Sequence, residues 1–90
     1  MIYTVTWMPV AMRQLAQIWN DAGDQQAVAD ASDYFDATLK NTPYSHSESR
    51  PRNRRVMYSR PLGIIYRVSD DDRLVTVTAV WRTDRRRSQS

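Results

Sequence analysis

Residues 62–82 read LGIIYRVSDDDRLVTVTAVWR, and the fold follows from how this stretch divides. Both ends are rich in Ile, Val, Tyr and Thr, residues that suit a pleated, half-buried surface. Between them Asp70, Asp71 and Asp72 form a turn cluster, so residues 62–68 and 74–82 are expected to be consecutive strands. In the second, Val75, Val77, Ala79 and Trp81 alternate with Thr76 and Thr78, which predicts that the apolar four share one face. Residues 55–60 have the same composition and form a further strand. Pro61 and Gly63 flank the turn that follows it, and Gly63 is a candidate bulge inside the next strand.

Working back toward the N-terminus, Tyr3, Val5 and Trp7 alternate with Thr4 and Thr6 as one more strand. Pro9 suits the first turn of a helix, where its missing N–H costs nothing. Ala11, Leu15, Ile18 and Ala22 then recur on one helical face. Gly23 is a natural stop and Asp24 a natural N-cap for a second helix. There Val28, Ala31, Phe35 and Leu39 form the stripe, with Asp30 and Asp33 turned to water. The short break makes an antiparallel helical hairpin. Residues 40–53 lose all periodicity; Pro43 and Pro51 bracket a serine-rich stretch read as a long loop. The expected order is β-α-α-β-β-β: an α+β domain over residues 1–82, with a small, mostly antiparallel sheet and the helical hairpin packed on one face. Residues 83–90 are too polar to pack and are expected to fray.

Ninety residues hold one core, and 10% aromatic residues argue against disorder. The absence of cysteine excludes disulfide scaffolds, thiolate metal sites and a cysteine nucleophile. No apolar run approaches the roughly 20 residues of a membrane span. The N-terminus carries no basic segment followed by an apolar one, so a small soluble cytoplasmic protein is expected. Charge is polarised. Residues 1–45 hold Arg13 and Lys40 against five aspartates, a balance of −3; residues 46–90 hold eleven arginines against five acids, a balance of +6. Arginine's planar fork matches phosphate, and a polarised arginine-rich half points to an anionic partner, nucleic acid first.

The order of these pieces resembles the RelE/ParE toxin superfamily. The matching features are Trp7-Met8-Pro9 closing the first strand, Leu39-Lys40-Asn41-Thr42-Pro43 closing the second helix, and Ile64-Ile65-Tyr66-Arg67-Val68. An acidic turn and a last strand ending Val80-Trp81-Arg82 complete the match, which spans residues 2–82. The resemblance implies the plasmid-stabilisation type of toxin, one half of a type II toxin–antitoxin pair whose cognate antitoxin silences it. RelE-like members cut mRNA in the ribosomal A site. ParE-like members poison DNA gyrase, and a decayed member would only bind its antitoxin. Fold does not choose among these.

Metal-free RNA cleavage uses the 2′-hydroxyl as nucleophile, and needs a base, cations at the phosphorane and an acid for the leaving oxygen. The resemblance places such groups in the strand after the long loop, in the next strand and just beyond the last. Nine of the twelve arginines lie in windows 50–60 and 82–87, which a strand pairing could bring onto one surface. The candidate catalytic residues are Glu48 as base, with Arg54 and Arg82 as phosphate-stabilising cations. Arg52, Arg55, Arg60, Arg67 and Arg85 are candidate nucleic-acid contacts, and no metal or other cofactor is expected. His46 is a second acid–base candidate, and Tyr58 and Tyr66 are candidates for hydrogen bonding or base stacking. Trp81 is read as a core anchor, Trp7 as packing and Trp19 as packing or a partner surface. The chain departs from the family pattern twice. No histidine or tyrosine follows the last strand, and Gly63 stands where an arginine is common.

Overall fold

A computed structural model describes residues 2–83. Within them the order is β1 (Thr4–Trp7), α1 (Pro9–Asp21), α2 (Gln25–Asn41), β2 (Ser47–Arg50), β3 (Arg54–Ser59), β4 (Leu62–Ser69) and β5 (Leu74–Arg82). The strands form one sheet in the order β1-β5-β4-β3-β2. The β1–β5 pair is parallel; the others are antiparallel. The expected α+β architecture is observed, with one strand more. Residues 47–50, read as loop, pair with β3 as the edge strand β2. Four polar residues on an edge bury no face, so they carry no alternation to detect.

Pro9 occupies the first turn of α1 as expected. Asp24 is the N-cap of α2, but its side chain makes no capping hydrogen bond, because both carboxylate oxygens accept from Arg82 at 3.0 Å. Gly23 follows the C-cap Ala22 without adopting positive φ. Ala11, Val28, Ala31, Phe35 and Leu39 are buried, and Leu15, Ile18 and Ala22 pack against them. On the sheet, Met57, Leu62, Ile64, Tyr66, Val75, Val77 and Val80 meet that helical stripe. Among the described residues the core holds no buried charged or polar side chain.

The last strand departs from strict alternation. Ile65 pairs with Ala79 but Tyr66 pairs with Val77, so Thr78 is an extra residue on β5. Its Oγ1 donates to the Ile65 carbonyl. One inserted residue exchanges the faces beyond it. Val75, Val77 and Val80 therefore face the helices, whereas Ala79 and Trp81 face away. Trp81 is not a core anchor. Gly63 is not the bulge; it pairs regularly with Tyr58 and Trp81. Among the described residues no helix is long and apolar enough to cross a membrane.

A candidate nucleic-acid interface

The helix-free face of the sheet is built from the alternate residues: Glu48 and Arg50 on β2, Arg54, Val56 and Tyr58 on β3, Gly63, Ile65 and Arg67 on β4, then Thr76, Ala79 and Trp81 on β5. Register sets them in rows. Arg50 pairs with Arg54, Arg54 with Arg67, and Arg67 with Thr76. Three guanidinium side chains thus spring from neighbouring positions about 4.8 Å apart. Like charges directly opposite one another oppose sheet formation. The only carboxylate ion-paired to this row, among the described residues, is Glu48, which accepts from Arg50 at 2.8 Å. Arg54 reaches the Pro51 carbonyl at a long 3.4 Å. Such a row is electrostatically completed by an anion.

Two residues along, Val56, Ile65 and Ala79 form an apolar row. The row after that is Tyr58, Gly63 and Trp81. The two rings meet edge to face with centroids 6.2 Å apart, and half of Tyr58 stays exposed. They approach over the glycine: a Cβ there would lie 2.8 Å from the Trp81 ring and 3.0 Å from Tyr58.

The predicted site residues separate accordingly. Glu48, Arg54 and Arg67 share the bare face at the β2–β3 turn end. Arg52 sits in that turn, where it and Asn53 both adopt positive φ, as the central residues of tight hairpin turns do. Asn tolerates that conformation; arginine adopts it less readily. Arg55 points to the helix side, its Nε donating to Ser47 Oγ at 2.9 Å and its guanidinium 5.1 Å from the Tyr44 ring centroid. Arg60 lies in the β3–β4 turn, at the other end of the sheet. Arg82 pairs with Leu62, while Thr76 pairs with Arg67. Arg82 is thus about 20 Å of strand away from the Arg54 row, and it bridges to Asp24. The expectation that pairing would bring Arg54 and Arg82 together is corrected: antiparallel register sends the two windows to opposite ends. Arg85 lies outside the described residues. His46 is exposed with positive φ just before β2, and Tyr66 is fully buried, its hydroxyl donating to the Pro43 carbonyl. Burial raises the Tyr66 pKa above the usual phenol value.

A cluster unread in the sequence closes the helix side of the same end. Tyr3 and Tyr44 donate to the two oxygens of Asp70 at 2.8 and 2.9 Å. Those bonds hold the Asp70 carboxyl below its ordinary pKa. Tyr3 is raised chiefly by its bond to Asp70, and Tyr44 by burial and then by the same carboxylate. A cavity of about 330 Å³ lies here, lined by Tyr44, Ser49, Asn53, Arg54, Arg55 and Asp70 among others. Asp70 read only as a turn former, and nothing in the sequence linked it to tyrosines 67 and 26 positions away. Among the described residues no three His, Asp or Glu side chains converge as metal ligands would.

No protein-family model and no curated protein matches the chain. Solved structures do. The RelBE2 toxin–antitoxin complex of Mycobacterium tuberculosis superposes with a TM-score of 0.76 at 19% identity, over 91% of this chain and 99% of that one. The chromosomal ParDE toxin–antitoxin system of P. aeruginosa gives 0.66 at 17%, over 92% and 98%. The archaeal RelE–RelB complex of Pyrococcus horikoshii gives 0.61 at 13%, over 96% and 100%. The chain has the RelE/ParE toxin fold over nearly its whole length.

Proposed function

We propose that this chain is the toxin of a type II toxin–antitoxin pair and acts as a metal-independent endoribonuclease on ribosome-bound mRNA. The observation that carries this reading is the cross-strand row Arg50, Arg54 and Arg67, with Glu48 beside it on the same bare face. In the proposed reaction Glu48 accepts the 2′-hydroxyl proton and the 2′-oxygen attacks phosphorus. The P–O5′ bond breaks, and the departing 5′-oxygen takes a proton from solvent. Arg54 and Arg67 offset the charge that builds on the phosphoryl oxygens. Arg82 has no part in that step, since it lies at the far end of the sheet. The resemblance to toxins solved with antitoxins supports a cognate antitoxin as partner. So do the exposed Met8 at the N-cap of α1, Val10, Met12 and Trp19 on that helix, and a groove of about 360 Å³ between α1 and α2.

One observation favours the second reading, a DNA gyrase poison: no histidine or tyrosine follows β5 anywhere in residues 83–90. Primer extension on a defined mRNA in a reconstituted translation mixture separates the two. Discrete cuts that need both ribosomes and protein, and that fall at least a hundredfold in Glu48→Gln and in Arg54→Ala/Arg67→Ala, are expected. Intact mRNA alongside inhibited gyrase supercoiling would replace the nuclease with the poison.

A further inference from the structure

The bare face carries two unlike rows, and the nuclease reading uses only the cationic one. The aromatic row lies four residues further along β3 and β4, about 13 Å away. Gly63 sits between two aromatic residues of adjacent strands and leaves a slot that both rings fill, edge to face. The Thr78 bulge has turned Trp81 out of the core, and Trp81 also lines a cavity shared with Gln14, Gln17 and Asp24. An aromatic pair on a sheet, with Tyr58 exposed and Trp81 half-buried, in line with a row of arginines, has the two parts that single-strand recognition requires. Cations track the phosphates, and a π-surface takes an unstacked base. Between the rows the part-exposed Ile65 and Ala79, beside the buried Val56, offer an apolar floor that suits sugar and base edges better than phosphate.

We infer that Tyr58 and Trp81, crossed over Gly63, form a stacking platform for one unpaired base of an RNA strand whose phosphates lie on the Arg50–Arg54–Arg67 row. The proposal rests on the RNA-directed reading above and adds to it a base-contacting subsite. The occupant is single-stranded RNA because the same face sets three guanidinium groups against one carboxylate, Glu48. A protein partner's apolar side chain is the alternative occupant that the experiment must exclude. The two rows differ in physical signature. Arginine–phosphate contacts release counterions and set the salt dependence of binding, at a slope of about 0.7 per phosphate on a single strand. Stacking scarcely depends on salt.

The test is fluorescence anisotropy with a short labelled single-stranded RNA and with the same ribose-phosphate backbone lacking its bases, across a range of salt. The intact protein is expected to bind the base-bearing strand roughly tenfold or more tightly, the effect of one stacked base. Tyr58→Ala should abolish that preference and leave the salt slope unchanged, and Tyr58→Phe should restore it. Arg54→Ala/Arg67→Ala should lower the slope by about 1.4 while the base preference persists. Equal affinity for the two strands, or a preference that survives Tyr58→Ala, overturns the platform and leaves the arginine row standing. No binding of either strand at low salt overturns the platform, while the nuclease reading, which requires ribosomes, falls only if the primer-extension cuts are absent.

Discussion

The two faces of the sheet are made from alternate residues of the same strands, yet they do opposite work. Under the helices, Met57, Leu62, Ile64, Tyr66, Val75 and Val77 are completely buried. Away from the helices the same strands present Arg54, Arg67, Tyr58 and Trp81. The covered face supplies stability through apolar area removed from water. The bare face accepts a like-charge row, which opposes stability and makes sense only toward an anion. Functional groups can therefore be removed at little cost from one face and not from the other.

The sharpest break of that contrast would be Phe35→Ala. It empties a fully buried position and should cost about 3–5 kcal/mol, read from urea denaturation. Removing the arginine pair by Arg54→Ala/Arg67→Ala should leave the urea midpoint within about 0.5 kcal/mol, or raise it. A large loss there would make the row structural. Gly63→Ala comes next: the added methyl meets Trp81 at 2.8 Å, and about 1–3 kcal/mol of overpacking strain is expected. An unchanged melting temperature and Trp fluorescence would mean that the crossed rings are loose.

The smallest effect concerns acidity. Asp70 titrates below an ordinary carboxylate because Tyr3 and Tyr44 donate to it. Its contribution is therefore whole above the unfolded carboxylate value of about 3.9 and vanishes as pH falls through the lower folded value. Tyr3 and Tyr44 are shifted up, so theirs holds below the ordinary phenol value and disappears as pH rises through the folded ones. Melting temperature against pH should fall less steeply in acid for Asp70→Asn than for the parent chain. Identical acid limbs would show that the clamp contributes nothing.

Much of the fold was legible because periodicity reports burial. Both helical stripes face the core as their spacing predicts. The reading failed where one inserted residue, Thr78, changed the phase of β5 and where the polar edge strand β2 had no buried face to betray it. At the site, Glu48, Arg54 and Arg67 were all nominated, but on charge and resemblance rather than on position. Their grouping, and the exclusion of Arg82, needed the register. Asp24 shows the limit plainly: an N-cap by local rule, it is engaged instead by an arginine 58 residues away.

The sequence by itself determined the types and order of every element but the edge strand β2, the apolar stripes of the helices and the concentration of arginine in the second half. These depend on neighbours within one or two turns of chain. Only the tertiary structure decided which arginines meet, because an antiparallel register converts sequence distance into position along the sheet, and residues close in sequence can separate to opposite ends. It likewise decided that Trp81 lies outside the core and that Asp70 gathers two tyrosines. Both depend on partners far along the chain, whose contacts exist only once the strands have paired.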